Sequence, residues 1–462
     1  MKLGEIIKDT GAVILHGTPG TEINAVCSDS RKAAPGSLFI AVKGCSGDGH
    51  DYIDAALAAG ASAVVDASRR ALALCADNFY GHPSGRLQLV GITGTNGKTT
   101  TVTLLYNMFR SLGYECGLLS TIANYVGTRR SETANTTADP ITINSLLAEM
   151  ADAGCQYCFM EVSSIGLEQE RVAGLEFKAG IFSNLTHDHL DYHKTFAEYL
   201  RCKKLFFDSL GKDACAIINA DDRNGAVMVQ NCRAAVVTYS CRTAADHTCR
   251  VMEESFDGML LKIDGTETWS RLVGRHNAYN LLAIYTTALV LGTPAQEALL
   301  ALSKLESAPG RLEVMHLPRD LAVVIDYAHT PDALENVLRT LRDIAPGRTL
   351  ICLFGCGGDR DRTKRPEMAA IAEKLSDKVV VTSDNPRTED PEAIISEIMA
   401  GFSNPRNAIK ITNREEAIKT TVQMAPDSST ILLAGKGHET YQITGTVKRH
   451  FDEREIVKQA VL

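Results

Sequence analysis

A glycine-rich loop, Gly91-Ile92-Thr93-Gly94-Thr95-Asn96-Gly97-Lys98-Thr99-Thr100, ends an apolar run that begins at residue 87 and precedes a helical pattern at 102–109. A strand, a glycine loop and a helix in this order hold nucleotide phosphates, because backbone N–H groups and the helix N-terminus face the phosphate oxygens. Lys98 adds a full positive charge, and the Thr99 hydroxyl is a suitable Mg²⁺ ligand. The loop therefore predicts that the chain consumes a nucleoside triphosphate.

An ordinary glycine turn before a helix is the alternative, but Gly97-Lys98-Thr99 in this context argues against it. The usual phosphate loop has a glycine five residues before Gly97, and this chain has Ile92 there, so we expect a variant of the loop. A second stretch, Gly435-Lys436-Gly437-His438-Glu439, resembles a phosphate loop. It lacks Ser or Thr after the lysine and no helical pattern follows, so we predict no second ATP site.

The length of 462 residues predicts about three domains of roughly 150 residues each. We expect them at 1–86, 87–308 and 309–462, because turn-forming residues lie at both boundaries. The composition, 45% hydrophobic and 23% charged, is typical of a globular protein. The net charge of −8 argues against nucleic acid as a partner, since a phosphate backbone requires clustered Lys and Arg.

The 13 cysteines are odd in number and irregular in spacing, so we expect reduced thiols in a cytoplasmic protein. Cys155 and Cys158 form a lone C-x-x-C pair, which we interpret as a coincidence. The N-terminus lacks the apolar core of a signal peptide, and no apolar run reaches the ~18 residues of a membrane span. We expect a monomer without a membrane partner.

Strand and helix patterns alternate from residue 87 onward. This alternation predicts an α/β fold whose central, mainly parallel sheet carries helices on both faces. The pattern after 311 predicts a Rossmann-like domain of about five strands, and the first 86 residues predict a small α/β domain. Ligands of such sheets bind beyond the carboxyl ends of the strands, where the unusual stretches 355–365, 383–389 and 435–439 lie.

Two stretches of the central domain contain candidate metal ligands. Glu161 ends a predicted strand, where a carboxylate can meet a Mg²⁺ held by the nucleotide; a helix cap by Ser163 is the alternative for this stretch. The segment 187–193 contains three His and two Asp, but its spacing matches no common zinc template. We expect His189 to be a metal ligand and the other side chains of the segment to be structural.

Two arginines follow strands of the C-terminal domain. The guanidinium groups of Arg360 and Arg387 suit the carboxylates of an acidic small molecule, because an arginine fork binds a carboxylate through two parallel hydrogen bonds. Surface ion pairs with Asp359, Asp361 or Glu389 are the alternative.

With these stretches the chain resembles the Mur ligases, the amide-forming enzymes of peptidoglycan precursor assembly, over nearly its whole length. Asp384-Asn385-Pro386-Arg387 favours the branch (MurE type) that adds the third peptide residue, since DNPR marks users of meso-diaminopimelate in that family. The remaining stretches that carry the resemblance are 94–100, Asn135-Thr136-Thr137, 161–164, 188–193, Gly274-Arg275-His276-Asn277, 310–313 and 326–331, and in the N-terminal domain Ser28-Asp29-Ser30-Arg31 with 36–41.

The resemblance implies an ATP-dependent ligase that uses Mg²⁺ and an acyl phosphate. The ligase would add meso-2,6-diaminopimelate to the D-glutamyl γ-carboxylate of UDP-N-acetylmuramoyl-L-alanyl-D-glutamate. The alternatives are the same ligation with L-lysine or another diamino acid, a folylpolyglutamate synthase or another Mur ligase, and a P-loop kinase or switch NTPase. The kinase would not require a third domain.

The resemblance also assigns roles by position. The UDP-muramoyl substrate is implied to contact Ser30, Asn135, Thr136, Thr137, Ser163, Gln169 and Arg171. ATP is implied to contact Gly94, Thr95, Asn96, Gly97, Lys98, Thr99, Thr100, Asn277, Arg311 and Asp326. Diaminopimelate is implied to contact Arg360, Asp384, Asn385, Pro386, Arg387, Gly435 and Glu439.

The implied catalytic residues are Lys98, Glu161, His189 and Lys203, and the implied Mg²⁺ ligands are Thr99, Glu161, His189 and, if carbamylated, Lys203. On general grounds, Lys203 and its neighbour Lys204 would form the solvated face of a helix. The family instead carries a carbamylated lysine at the position of Lys203. It usually has Ala-Lys where this chain has Cys202-Lys203-Lys204, so Lys204 stays open as the modified residue.

Overall fold

The computed structural model describes residues 1–44, 47–133, 135–186 and 190–461. The chain forms two compact units. The N-terminal unit consists of Met1–Cys249 and Tyr279–Leu302, and the C-terminal unit consists of Arg250–Ala278 and Ser303–Leu462. The division into three domains, with boundaries at 86 and 308, stays a prediction.

A small sheet opens the N-terminal unit. Its strands are β1 (Val13–His16), β2 (Ala25–Cys27), β3 (Ser37–Ala41) and β4 (Ala63–Asp66), and the helices beside it are α1 (Leu3–Ile6), α2 (Ile53–Ala58) and α3 (Arg69–Phe79). The order is β1-β4-β3-β2, and only the β1–β4 pair is antiparallel. Leu38 and Phe39 of β3 belong to separate hydrophobic clusters, so both faces of this sheet are buried.

A larger sheet forms the centre of the N-terminal unit. Its strands are β5 (Gln88–Thr93), β6 (Cys116–Leu119), β7 (Asn124–Val126), β8 (Arg129–Ser131), β9 (Tyr157–Glu161), β10 (Ala179–Phe182), β11 (Cys215–Asn219) and β12 (Ala235–Ser240). These strands have the order β12-β11-β10-β5-β9-β6-β7-β8, parallel from β12 to β6 and antiparallel beyond, and the strand that begins at His247 pairs in parallel with β12. The carboxyl ends of β9, β5 and β10 therefore lie side by side, and they carry the predicted site residues.

Helices follow most strands of this sheet. They are α4 (Lys98–Ser111), α5 (Pro140–Asp152), α6 (Ser164–Glu168), α7 (Leu190–His193), α8 (Phe196–Asp208), α9 (Gly225–Met228), α10 (Arg275–Val290) and α11 (Ala295–Ser303). Alternate residues of the parallel strands face different sides of the sheet, so apolar side chains lie on both faces. None of the helices within the described ranges has both the length and the apolar character that crossing a bilayer requires.

The C-terminal unit has a second parallel sheet. The strands after residue 246 are β13 (His247–Ser255), β14 (Gly258–Ile263), β15 (Thr266–Ser270), β16 (Glu313–Leu317), β17 (Leu321–Asp326), β18 (Thr349–Phe354), β19 (Lys378–Val381), β20 (Ala408–Lys410), β21 (Ser429–Ala434), β22 (Tyr441–Thr444) and β23 (Val447–His450). The sheet order is β16-β17-β21-β18-β19-β20, and only β16 is antiparallel. Its helices are α12 (Pro331–Ile344), α13 (Lys364–Leu375), α14 (Pro391–Met399), α15 (Arg414–Met424) and α16 (Glu453–Gln459).

The predicted α/β fold class is confirmed, with a parallel-rich central sheet, a Rossmann-like C-terminal sheet and a small N-terminal sheet. The C-terminal sheet has six strands, whereas we expected about five. The additional strand is β16, a half-exposed edge strand whose pattern is not that of a buried parallel strand. Thr330 caps α12, because its hydroxyl accepts the N–H of Ala333 at 3.3 Å. The twelve cysteines within the described ranges are free thiols.

Candidate active site

The glycine-rich loop connects β5 to α4, which begins at Lys98. Gly97 is the N-cap of this helix and has a φ of +87°, a left-handed conformation that favours glycine. A Cβ atom at Gly97 would also meet Oδ1 of Asn280 at 2.5 Å. Thr99 and Thr100 are buried in the first turn of α4. The predicted strand, loop and helix are therefore present, with the helix N-terminus at the loop.

The end of β10 holds this loop in place. The Ser183 hydroxyl donates to the Asn96 carbonyl at 2.7 Å, and the side-chain Oδ1 of Asn184 accepts the Asn96 N–H at 2.9 Å. The Thr95 N–H donates to the Asn184 carbonyl at 2.8 Å. The sequence analysis assigned no role to Ser183 or Asn184. Both residues directly follow a strand that pairs with β5, and this position in the sequence could have indicated that they contact the loop.

Two lysine side chains converge on one carbonyl. Nζ of Lys98 donates to the Gly94 carbonyl at 2.9 Å and to the Thr95 carbonyl at 2.7 Å. Nζ of Lys203, on α8, donates to the same Gly94 carbonyl at 2.7 Å. Lys203 is only 1% exposed, so the interpretation of this residue as part of a solvated helix face is wrong. Lys204 instead forms an ion pair with Asp208 on the same helix.

Glu161 ends β9 beside the loop and is 1% exposed. Its Oε1 accepts the Thr121 N–H at 2.8 Å, and its Oε2 has no hydrogen-bond partner among the described residues. A buried carboxylate oxygen in this state fits a cation, because an uncompensated buried acceptor is unfavourable. His189 lies outside the described residues. Within them, no group of three or more His, Cys, Asp or Glu side chains has the arrangement of a metal site.

The Asn135–Thr137 stretch is hydrogen-bonded to the end of β9. The Thr137 hydroxyl donates to the Glu161 carbonyl at 3.0 Å and accepts the Ser163 N–H at 2.9 Å. The Thr136 hydroxyl accepts from that of Thr121 at 3.1 Å. The Ser163 hydroxyl accepts the N–H of Gly166 as the cap of α6, which is the alternative role we considered for it.

A cavity of about 860 Å³ lies in the N-terminal unit, within the usual size range of ligand pockets. Four of the residues predicted to contact the UDP-muramoyl substrate line it, namely Ser30, Asn135, Gln169 and Arg171. The predicted residues Thr136, Thr137 and Ser163 lie next to this wall rather than on it. Tyr52 and Arg69, which were not among the predicted site residues, also line the cavity.

Arg171 connects the cavity wall with the Glu161 region. Its Nη1 donates to the Thr137 carbonyl at 2.6 Å, and its Nη2 donates to Oε1 of Gln169 at 2.7 Å. Since Thr137 contacts Glu161 directly, one hydrogen-bonded path joins the cavity to the carboxyl end of β9.

The C-terminal unit holds the other residues predicted to contact ATP. The Asp326 carboxylate, at the end of β17, accepts the N–H groups of Leu312 at 2.8 Å and Ala328 at 2.9 Å. Burial raises the pKa of Asp326, although the nearby Arg311 charge opposes the shift. Arg311 lies over the Tyr327 ring, and its buried Nε has no partner among the described residues. Nδ2 of Asn277 donates to the Val273 carbonyl at 2.8 Å.

The two predicted carboxylate-binding arginines lie on neighbouring loops of the C-terminal unit. Nη1 of Arg387 donates to the Gly358 carbonyl at 2.9 Å, and Nη1 of Arg360 donates to the Asp359 carbonyl at 3.3 Å. Neither forms an ion pair with a carboxylate within the described ranges, so the surface ion-pair alternative is not observed. Glu389 is instead bound by Arg365 at 2.9 Å.

The Asp384–Arg387 and Gly435–Glu439 stretches form one polar cluster. Nδ2 of Asn385 donates to Oε2 of Glu439 at 2.8 Å. Lys436, which is fully buried, donates to the same Glu439 oxygen and to Oδ1 of Asn385, each at 3.2 Å. The Gly435 N–H donates to the Asp326 carbonyl at 3.0 Å. The sequence analysis assigned no site role to Lys436.

Comparison with known protein families accounts for most of the chain. The model of the Mur ligase family catalytic domain matches residues 22–83, that of the Mur ligase middle domain matches 92–288, and that of the Mur ligase glutamate ligase domain matches 310–437. This chain belongs to the Mur ligase family.

Individual Mur ligases match it from end to end. Relatives from Cytophaga hutchinsonii and Phocaeicola vulgatus are 47% and 48% identical, each over 99% of both chains. Both are named UDP-N-acetylmuramoyl-L-alanyl-D-glutamate–2,6-diaminopimelate ligase. A solved structure with the same ligase name is 32% identical, has a TM-score of 0.73 and covers 100% of this chain and 98% of its own. The fold and the sequence thus match members of one branch of the family.

Proposed function

We propose that this chain is an ATP-dependent, ADP-forming ligase that adds meso-2,6-diaminopimelate to UDP-N-acetylmuramoyl-L-alanyl-D-glutamate in the cytoplasm. The observation that carries the proposal is the 47% identity to a ligase of this name over 99% of both chains. It is supported by Arg360 and Arg387, which have no carboxylate partner among the described residues.

The first step activates a carboxylate. The D-glutamyl γ-carboxylate attacks the γ-phosphorus of ATP, which forms an acyl phosphate and releases ADP. Two anions must approach each other, so positive charge is required along the reaction path. Lys98 and the N-terminus of α4 supply it at the glycine-rich loop, where Gly97 and the first turn of α4 offer backbone N–H groups to the phosphates.

The metal ligands would be Thr99, Glu161, His189 and a carbamylated Lys203, and the Mg²⁺ they hold would neutralise phosphate charge. The buried Oε2 of Glu161 supports this assignment. The ammonium groups of Lys98 and Lys203 share the Gly94 carbonyl. Carbamylation of Lys203 would turn one of these two cations into an anion. The modification would therefore remove a like-charge repulsion and add a metal ligand.

The second step forms the amide. The deprotonated amine of diaminopimelate attacks the acyl carbon, the C–N bond forms and phosphate leaves. Arg387 would bind the distal carboxylate of diaminopimelate, and Asn385 and Glu439 would orient its polar groups. L-Lysine has the same chain and amine but lacks that carboxylate, so it would leave the arginine unpaired.

A reaction with single omissions tests the proposal. The purified protein is incubated with ATP, Mg²⁺, UDP-N-acetylmuramoyl-L-alanyl-D-glutamate and meso-diaminopimelate, and ADP and the nucleotide product are quantified by chromatography. We expect one ADP for each amide formed, and no sustained ADP release when either acceptor is omitted. Sustained ADP release without an amide would indicate an NTPase or kinase and overturn the proposal.

A further inference from the structure

Arg414 lies beneath the two loops that form the polar cluster of the C-terminal unit. It is the first residue of α15, and its side chain is completely buried. Its Nη2 donates to the Ala434 carbonyl at 2.9 Å, and its Nη1 donates to the Ser383 carbonyl at 3.5 Å. Ser383 directly precedes Asp384, and Ala434 directly precedes Gly435. One guanidinium group therefore connects the starting points of both loops.

The two loops leave little room for relative movement. A Cβ atom at Gly435, which has a φ of +115°, would meet Oδ2 of Asp384 at 2.6 Å. Asn385 and Glu439 are hydrogen-bonded across the gap. A shift of either strand end would therefore change the spacing of the side chains predicted to bind the amino acid.

Glu453 holds the guanidinium group from the other side. Its Oε1 accepts from Nε of Arg414 at 2.8 Å, and both side chains are completely buried. Glu453 is also the first residue of α16, where the helix dipole favours an anion. Apolar side chains of similar volume often stabilise a fold as well as a buried ion pair does, because burying two charges is costly. Stability alone is therefore a weak explanation for this pair.

We propose that Arg414 is a positioning residue for the incoming amino acid. By holding the Ser383 and Ala434 carbonyls, it fixes the distance between the Asp384–Arg387 loop and the Gly435–Glu439 loop, and Glu453 keeps it in place. Arg414 does not contact the substrate itself. The inference rests on the proposed ligase function, because it assigns these two loops to diaminopimelate.

The variant R414M/E453L separates positioning from stability. It removes both buried charges together, so no unpaired ion remains and the thermal unfolding midpoint should stay close to that of the wild type. We expect the KM for diaminopimelate to rise by about tenfold or more, since small misplacements of binding groups cost this much. The KM for ATP and kcat at saturating diaminopimelate should stay within about twofold, because the loops act on amino-acid binding.

R342M is the matched control. Arg342 also bonds two carbonyls, those of Arg348 and Leu375, and one carboxylate, that of Asp377, but at the amino ends of strands in the same sheet. Its loss should leave the KM for diaminopimelate unchanged. A second variant, R414K, keeps a cation beside Glu453 but lacks the guanidinium group that bonds both carbonyls. It should therefore fold and still raise the KM for diaminopimelate.

An unchanged KM for diaminopimelate in folded R414M/E453L or R414K would overturn the inference. A parallel rise in the KM values of all three substrates would do the same, because it would indicate a general structural role. Failure of the proposed function is distinguishable in the same assay. In that case the wild type would form no amide, whereas failure of the positioning role would give an active wild type and equally active variants.

Discussion

In the proposed mechanism, Lys98 supplies positive charge to the activation step. It lies at the N-terminus of α4 and hydrogen-bonds the loop carbonyls of Gly94 and Thr95. We expect K98A to lower kcat by at least ~100-fold, the scale of losing one preorganised electrostatic contact in a transition state. ADP release under saturating substrates measures this effect. The exposed Lys212 gives the control K212A, and near-normal turnover of K98A would contradict the assignment.

Lys203 and Lys204 are neighbours with different surroundings, so they form a natural pair of variants. Lys203 is buried at the Gly94 carbonyl, whereas Lys204 pairs with Asp208 on its own helix. We expect K203A to lose at least ~10-fold in kcat, because the substitution removes the proposed metal ligand, and K204A to retain wild-type kcat. Bicarbonate should stimulate the CO₂-depleted wild type and not K203A. Equal losses in both variants would refute the assignment of Lys203.

Arg387 is the residue that should distinguish diaminopimelate from L-lysine. We expect R387M to lower kcat/KM for diaminopimelate by at least ~30-fold, the cost of leaving a buried charge unpaired. The kcat/KM for lysine should change little, so the preference for diaminopimelate should collapse. Steady-state kinetics on both amino acids test this. A preference that survives the substitution would assign the discrimination to other residues.

Residues differ in how well the sequence alone predicts their roles. Lys98 was predictable because the loop and its helix are contiguous in sequence. Arg69 was not, because it reaches the cavity through the packing of α3. The role of Arg414 was not predictable either, since its side chain bonds two backbone carbonyls. No pattern of residue types in the sequence marks such contacts. Contacts between distant segments are therefore the part of the site that the sequence does not reveal.

At the scale of elements, strands and helices with a continuous buried face were predictable. The sequence pattern at 414–424 is that of a helix and the pattern at 349–354 is that of a strand, and the structure has α15 and β18 with these bounds. The hairpins β14–β15 and β22–β23 were not predicted. In each hairpin one strand is largely exposed, so hydrophobic burial defines these elements weakly.

The ion-pair cluster between α13 and α14 gives a pH-dependent prediction. Arg365 is fully buried, and its hydrogen bonds to Glu389 lower the pKa of that carboxyl from 4.5 to about 2. The unfolded chain therefore binds a proton at higher pH than the folded chain does. The stability that Glu389 contributes should be complete above about pH 4.5 and should be lost as the pH falls toward about 2.

Comparison of wild type with E389Q measures this contribution. Trp269 is the only tryptophan and lies in the C-terminal unit, so its fluorescence in urea reports unfolding there. The difference between the urea midpoints of unfolding of wild type and E389Q should be larger at pH 7 than at pH 3. E415Q, which removes an exposed pair with Lys419, is the control. A difference that is equal at both pH values would show that the carboxylate charge contributes nothing.

At the scale of the whole molecule, the account requires both units to serve one reaction. The N-terminal unit has the glycine-rich loop, Glu161, Lys203 and the cavity, and the C-terminal unit has the residues predicted to contact diaminopimelate. A relative that is 47% identical matches this chain over 99% of both chains, so the match includes both units. The monomeric state stays a prediction.

The most direct test of the account is a competition experiment. Wild-type protein, ATP and Mg²⁺ are mixed with UDP-N-acetylmuramoyl-L-alanyl-D-glutamate and equimolar meso-diaminopimelate and L-lysine, and the nucleotide products are identified by mass spectrometry. The account predicts a product that contains diaminopimelate, almost none that contains lysine, and ADP in equal amount. A lysine product in comparable yield would contradict the specificity, and the absence of any amide while ATP is consumed would contradict the ligase itself.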